Sequence, residues 1–437
     1  MRAEGHIAIA GAGYVGLTSA ACFCEMGHRV QLVEVDPGRL AQLRSGICPI
    51  FEPGLPDLLR QHLGGRLTVT DQLHEAVMGS RALFVCVGTP PRLGGSPDLR
   101  ALKRLLRDLR GAPGLGQSVV VLKSTVPPGT NRMVYDTLGG RVPVVSNPEF
   151  LREGTAIYDF FHPDRVVVGS PEADAALSVA GLYVGIDSPM LVTGWEEAEL
   201  IKYATNAFLA VKISFANEMA TLCEALGAEA PDVLKGLGLD HRVGPQFLRP
   251  GPGYGGSCLP KDIQALAWKA RKAGVRLDLL HSAERANRRQ RMRQLAKLEE
   301  GLGGLAGKTV AVWGLAFKAG TDDLRGAAAV DLVPRMLEQG ARVRAHDPAA
   351  MANFARLFPR EKHPGLTLVD DPWEALLGAD ALLILTEWDL YRAAPLEIRR
   401  YLGGKLVVDS RNLLDPDAAH SVGLVYNGIG RGRSGRK

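Results

Sequence analysis

No apolar run in the 437 residues approaches the ~20 that a membrane-spanning helix needs, so an integral membrane protein is not expected. The N-terminus, Met-Arg-Ala-Glu-Gly-His, lacks a signal-type apolar segment and a small-residue cleavage site, which makes cytoplasm the expected compartment. Cysteine is sparse. Cys22, Cys24, Cys48, Cys86, Cys223 and Cys258 are scattered without zinc-type pairing, and several fall within apolar runs. That speaks against a disulfide scaffold or a metal site and suits reduced thiols. Charge of one sign is also in short supply. A formal net charge of +5 is modest for this length. Much of the excess, Arg431, Arg433, Arg436 and Lys437, lies among Gly and Ser and reads as a flexible basic tail over 432–437, not a nucleic-acid surface.

What is present fits an ordinary globular protein, with 46% hydrophobic and 23% charged residues. The chain is too long for one core, so two or three domains are expected. The first opens on an apolar strand, His6–Ala10, followed at once by Gly11-Ala-Gly13-Tyr14-Val15-Gly16 and a helical pattern ending at Gly27. A second strand over Arg29–Val35 carries Glu34, 23 positions after Gly11. Together these form a dinucleotide-binding turn: glycines allow the tight bend and close approach, the helix N-terminus receives the pyrophosphate, and the acid binds the ribose hydroxyls. A carboxylate there repels a 2′-phosphate, so NAD is expected over NADP. Asp36, two residues on and on the same side of the strand, is the alternative ribose partner.

Strand and helix then alternate as in a parallel, doubly wound sheet. Strands are expected at Leu67–Thr70, Ala82–Gly88, Ser118–Leu122 and Val142–Ser146, with Asp71 and Asp98 as helix caps. Their ends deliver Thr89-Pro-Pro, Lys123-Ser-Thr125-Val-Pro-Pro-Gly129 and Asn147-Pro-Glu149-Phe150-Leu151-Arg-Glu153-Gly154. Ligands bind beyond such strand ends in open α/β sheets. From Thr193, where Glu196 completes a capping box, a helical pattern runs to Leu226 and stops at Gly227. About 30 residues span roughly 45 Å, enough to join two domains. Lys202 and Asn206, four apart, share one face of it; a solvated lysine on a linker helix is the plainer alternative.

Gly251-Pro-Gly-Tyr254-Gly255-Gly-Ser-Cys258-Leu-Pro-Lys261-Asp262 is the densest motif. The glycines free the backbone to bend and to approach a ligand, and Pro260 suits the first turn of a helix reaching about Lys272. Cys258 then stands just before a helix N-terminus. The positive end of the dipole and the Lys261 ammonium favour the thiolate that attacks carbonyl carbon. A buried cysteine acting as small apolar filler is the alternative.

Leu298–Gly307, rich in glycine, reads as a linker, after which a second α/β unit begins. Strands are expected at Lys308–Gly314, Arg342–His346, Ala381–Thr386 and Lys405–Asp409, with a helix over Ala327–Gly340. It lacks a glycine fingerprint, so a second NAD is not expected. Lysine and arginine at its strand ends suit a different phosphate-bearing ligand.

In this order and spacing the motifs resemble the nucleotide-sugar dehydrogenase family, from the glycine fingerprint to about Arg431. The resemblance implies two Rossmann-like doubly wound parallel-sheet domains joined by a long central helix and a helical middle domain. The corresponding segments are 1–192 for NAD, 193–300 for the helical dimerisation domain with the cysteine, and 306–431 for the UDP-sugar. It further implies oxidation of UDP-glucose to UDP-glucuronate by two NAD, or the same chemistry on GDP-mannose or UDP-N-acetylmannosamine. Cys258 is then the nucleophile, with Lys202, Asp262, Asn206, Thr125 and Glu149 as catalytic partners. Gly11, Gly13, Tyr14, Val15, Gly16, Glu34, Thr89, Thr125, Glu153, Lys261 and Arg325 correspond to the cofactor site. Glu149, Phe150, Leu151, Lys202, Asn206, Tyr254, Gly255, Phe317, Lys318 and Arg411 correspond to the substrate site, and Arg242 to an arginine that reaches a neighbouring subunit's substrate. A UDP-sugar substrate and a homodimer or higher homo-oligomer follow, with neither nucleic acid nor membrane as partner. A single-step hydroxyacid dehydrogenase and a catalytically dead nucleotide-sugar binder are the rival readings. Gly326-Ala-Ala after Arg325 departs from the family pattern.

Overall fold

The computed structural model describes residues 5–432, so the expected basic tail lies, beyond Gly432, outside the described residues. Two compact units emerge: one runs to Thr205 and includes Gln264–Val275, the other comprises Asn206–Ile263 and the chain from Arg276 on.

The first unit is built on eight strands: β1 (His6–Ala10), β2 (Val30–Val33), β3 (Leu67–Thr70), β4 (Ser80–Val85), β5 (Val119–Leu122), β6 (Val144–Ser146), β7 (Val166–Gly169) and β8 (Met190–Thr193). Their order is β3-β2-β1-β4-β5-β6-β7-β8. All pairs are parallel except β6–β7, which meet antiparallel at Ser146 and Gly169. Ile7, Ala8, Ile9, Leu83, Phe84 and Val120 are fully buried, as expected where helices cover both faces of a parallel sheet. The strand order reverses between β1 and β4, so the loops following these two strands flank the switch point where such sheets bind ligands.

The second unit repeats the plan with β9 (Thr309–Trp313), β10 (Arg342–His346), β11 (Leu366–Leu368), β12 (Ala381–Ile384), β13 (Leu406–Asp409) and β14 (Val425–Gly428). The order is β11-β10-β9-β12-β13-β14, parallel throughout. The long helix, Trp195–Leu226, starts in the first unit and continues in the second, and the helix Leu259–Lys272 does the reverse.

Several local expectations change. The linker over Leu298–Gly307 is shorter, because the helix Asp278–Leu302 continues to Leu302 and ends at Gly303, which has φ 68°. Leu295 and Leu298 are buried in the second unit's core, and that burial outweighs the ~1 kcal/mol that a glycine costs inside a helix. Asp71 is not a cap, since the helix Leu73–Val77 starts from Gln72, whose amide bonds Thr70. Asp98 does accept the Arg100 amide. Thr193 belongs to β8, and Glu196 binds Arg132, so no capping box forms. Arg431 is not part of a tail: it pairs with Glu229 at 3.2 Å, and the Gly432 amide bonds Ala228. β7, β8, β11 and β14 were not anticipated. At three or four residues each, they carry little periodicity.

Candidate active site

In the first unit the fingerprint divides its labour. Gly11 has φ 103°, and a Cβ there would lie 2.8 Å from the Cys86 carbonyl; at Gly16 it would lie 1.8 Å from the Gly11 carbonyl. Both are required by the chain's own packing. A Cβ at Gly13 would meet nothing within 4 Å. Gly13 caps the helix Tyr14–Glu25 without a side-chain bond, and the first turn carries no acid. The helix N-terminus therefore opens onto free space, a cradle suited to an anion. Val15 packs against the core. Glu34, 6% exposed, follows β2 and accepts the Asp36 amide at 2.9 Å. Asp36 instead caps the helix Pro37–Arg44 through the Arg39 amide, and the Arg39 guanidinium lies 3.5 Å from Glu34. The donors present fit NAD.

The strand-end loops of the same unit hold one another. The Thr89 hydroxyl donates to the carbonyl of Thr125, itself half-buried. Lys202, on the long helix and buried, lies 3.2 Å from Glu149, and the other Glu149 oxygen accepts the Leu151 amide at 2.7 Å. Lys202 also sits 5.3 Å from the Phe150 ring centroid, which the Arg165 guanidinium approaches to 3.8 Å. Arg165 donates to Thr205 on the long helix. Glu153 is half-buried; burial and the bond to Glu52 raise the Tyr14 phenol, and the nearby Glu153 charge adds to them.

Two buried acids escaped sequence reasoning. Glu199, 2% exposed, accepts from the amides of Gly129 and Asn131 at 2.5 and 2.8 Å and from the Asn131 side chain at 2.7 Å. Burial pushes its carboxyl up to about 7, against the pull of those bonds. Glu52, 3% exposed, accepts from Gly154, Ala156 and Tyr14. Glu199 had a signal, its three-residue offset from Lys202 on one helix face; Glu52, between Phe51 and Pro53, had none.

In the second unit Cys258 stands immediately before the helix Leu259–Lys272, and its carbonyl accepts the Asp262 amide at 2.9 Å. Asp262 is fully buried. One of its oxygens accepts from Asn206 at 2.6 Å and the other from Lys261. Lys261 is thus held by the carboxylate next to it. The glycines of this stretch serve the chain's own packing. A Cβ at Gly255 would lie 2.1 Å from the Gly326 carbonyl, and one at Gly256 would lie 2.8 Å from the Phe317 ring. The Gly256 amide bonds the Arg325 carbonyl at 2.8 Å. Asn287 bonds both the amide and the carbonyl of Tyr254, and Arg291 ties the Tyr254 and Gly326 carbonyls together. Tyr254 is buried, which raises its phenol.

Arg411 joins Phe317 by donating to its carbonyl at 2.8 Å, pairs with Glu387 at 2.9 Å, and has a nitrogen 3.3 Å from where a Gly251 Cβ would be. The Lys318 ammonium lies 5.7 Å from the Phe317 ring. Phe317, Lys318 and Arg411 therefore form one cluster beside the glycine stretch. Arg325 binds Asp323 with its guanidinium, and Arg242 binds Asp240 on the surface. The Arg325 backbone nonetheless lies against the glycine stretch, through the Gly256 amide.

Residues 5–187, 196–289 and 311–416 match the models of the UDP-glucose/GDP-mannose dehydrogenase family for its NAD binding domain, central domain and UDP binding domain, respectively. A UDP-glucose 6-dehydrogenase of Pseudomonas aeruginosa is 45% identical over 98% of both chains. The solved UDP-glucose dehydrogenase of Pyrobaculum islandicum superposes with a TM-score of 0.89 at 39% identity, covering 98% of this chain and 99% of that one. A UDP-D-ManNAc dehydrogenase from Pyrococcus horikoshii superposes with a TM-score of 0.85 at 29% identity, covering 98% and 100%.

Proposed function

Because the chain belongs to the UDP-glucose/GDP-mannose dehydrogenase family and is an NAD-dependent nucleotide-sugar 6-dehydrogenase, we propose that it oxidises UDP-glucose to UDP-glucuronate through covalent adducts on Cys258. The observation that carries this reading is the place of Cys258 at a helix N-terminus, one turn before an Asp262 that Asn206 of the long helix holds. The 45% identity to a UDP-glucose 6-dehydrogenase favours that sugar over its relatives.

NAD, held by the Gly13 turn and Glu34, supplies the acceptor for one hydride in each of two oxidations. In the first, Lys202 stabilises the oxyanion that develops as the primary alcohol becomes an aldehyde. Asp262 takes the proton through water, since its two donors leave lone pairs on both oxygens. The Cys258 thiolate, favoured by the helix dipole, adds to the aldehyde carbon, and a proton reaches the resulting oxygen. This thiohemiacetal loses a hydride and that proton to become a thioester. Water, placed by Glu149 and Thr125, then cleaves the C–S bond, giving the carboxylate and restoring the thiol. No free aldehyde needs to leave. Glu153, Thr89 and Lys261 belong to the cofactor's surroundings in this reading. Phe317, Lys318 and Arg411, within 306–431, bind the UDP portion, and Arg411 supplies a planar donor fork to phosphate.

A homodimer belongs to the same reading. Phe208, Phe215 and Leu222, spaced by seven along the long helix, are 64, 45 and 47% exposed, an apolar stripe suited to a second copy. Light scattering at twice the monomer mass supports it; a monomer at working concentration does not.

The test of function is a substrate panel with a variant. UDP-glucose should show kcat/KM at least tenfold above GDP-mannose and UDP-N-acetylmannosamine. Cys258→Ala should bind NAD as before yet form no acid. Steady UDP-glucuronate production by Cys258→Ala, or preference for another sugar, would overturn the corresponding half.

A further inference from the structure

Glu52 has no part in the chemistry above, yet it sits at a junction of the first unit. It is 3% exposed, and each oxygen is used. Oε1 accepts the Ala156 amide at 2.7 Å, while Oε2 accepts the Gly154 amide at 2.6 Å and the Tyr14 phenol. These three partners are neutral donors. A carboxylate buried this deeply is tolerated only when such donors satisfy it. The partners come from two distant pieces of chain. Tyr14 is the first residue of the fingerprint helix; its phenol also reaches the Arg152 carbonyl at 3.3 Å, and burial with Glu52 raises it so that it remains a donor. Gly154 and Ala156 end the loop that leaves β6 and carries Glu149 and Glu153. The helix that follows, Ala156–Phe161, has no side-chain cap of its own from Thr155. Glu52 supplies the acceptor for its first amide, at Ala156, and for the Gly154 amide just before it, from about a hundred residues away in sequence.

We propose that Glu52 is a positioning residue that ties the glycine turn to the loop 149–156, so that filling the turn with NAD and ordering Glu149 and Glu153 become one event. This rests on the reading of Glu149 and Glu153 as site residues. Glu52→Gln keeps the shape but presents an N–H₂ to one of the donors, which breaks the junction on one side. Tyr14→Phe removes a single hydroxyl, and with it the bonds to Glu52 and to the Arg152 carbonyl.

The test uses the full-length protein without sugar and reads binding and amide exchange in place of turnover. In the wild type, NAD should slow amide hydrogen exchange across residues 149–156 at least tenfold. Tyr14→Phe should keep its far-UV circular dichroism and lose most of that NAD-induced protection, with the calorimetric Kd for NAD raised at least threefold. Glu52→Gln should speed exchange of Gly154 and Ala156 even without NAD and raise Kd at least fivefold. The double variant should be no worse than Glu52→Gln, because both changes cut one junction. Wild-type Kd and undiminished protection in Tyr14→Phe would overturn the proposal, and so would additive losses in the double variant. Tyr14→Phe decides alone where Glu52→Gln does not fold. Should Glu149→Gln and Glu153→Gln turn over normally while the exchange coupling persists, the catalytic roles fail and the junction stands.

Discussion

Glu199 shows what a single buried acid does to this protein. Its folded pKa of about 7 lies above the ordinary carboxylate value, so between roughly pH 4.5 and 7 the native state holds a proton that the unfolded chain has released. Stability must therefore be fullest below that window, fall as pH rises through it, and level off above 7. The loss is on the order of 3 kcal/mol. Urea midpoints measured from pH 5 to 8 should decline for the wild type relative to Glu199→Gln; parallel curves would refute the assignment. Residues of this kind were hard to read in the sequence because their partners are remote. The donors to Glu199 come from Gly129 and Asn131, and those to Glu52 from Tyr14, Gly154 and Ala156. Cys258 and Glu34 stand out as candidates in the sequence because each sits at a fixed offset from a local glycine pattern.

Elements that combine a strand, a glycine turn and a helix were the most legible, since one geometric demand fixes several neighbouring residues at once. The glycines of the first turn differ in what they serve, and that difference can be measured. Gly13→Ala adds a Cβ to open space at φ −78°, so its stability should stay within about 0.5 kcal/mol of wild type, while NAD affinity falls at least tenfold. Gly16→Ala drives a Cβ into the Gly11 carbonyl and should cost at least ~3 kcal/mol, as severe overpacking does. Thermal melts with and without NAD separate the two; equal melting losses would show that Gly13 is merely structural. The glycines around Tyr254 bend the chain as the sequence implies, Gly253 at φ 109° and Gly256 at φ 87°. Their close approaches are to Gly326, Phe317 and Asn287, contacts made to residues dozens of positions away. Leu298 to Leu302 misled for a related reason: local glycine content argued for a linker, and burial against the second core decided otherwise.

At the scale of the molecule, the repeated strand order β3-β2-β1-β4-β5-β6 and β11-β10-β9-β12-β13-β14 was foreseen as two doubly wound sheets. The finer partition was not foreseen, because the boundaries fall inside two helices, between Thr205 and Asn206 and between Ile263 and Gln264. A hydrogen-bonded helix that crosses a boundary couples the two sides, so calorimetry should show one cooperative transition that NAD shifts as a whole, by about 2.7 kcal/mol at a hundredfold excess over Kd. Two resolved transitions, only one moving with NAD, would contradict that coupling. The proposed four-electron chemistry requires a covalent second oxidation at Cys258. Its most direct test is the NADH formed when limiting UDP-glucose is exhausted, read by absorbance against the sugar consumed. A thioester on Cys258 requires two NADH per sugar with the carboxylate as product, whereas one NADH per sugar with an aldehyde released would contradict it.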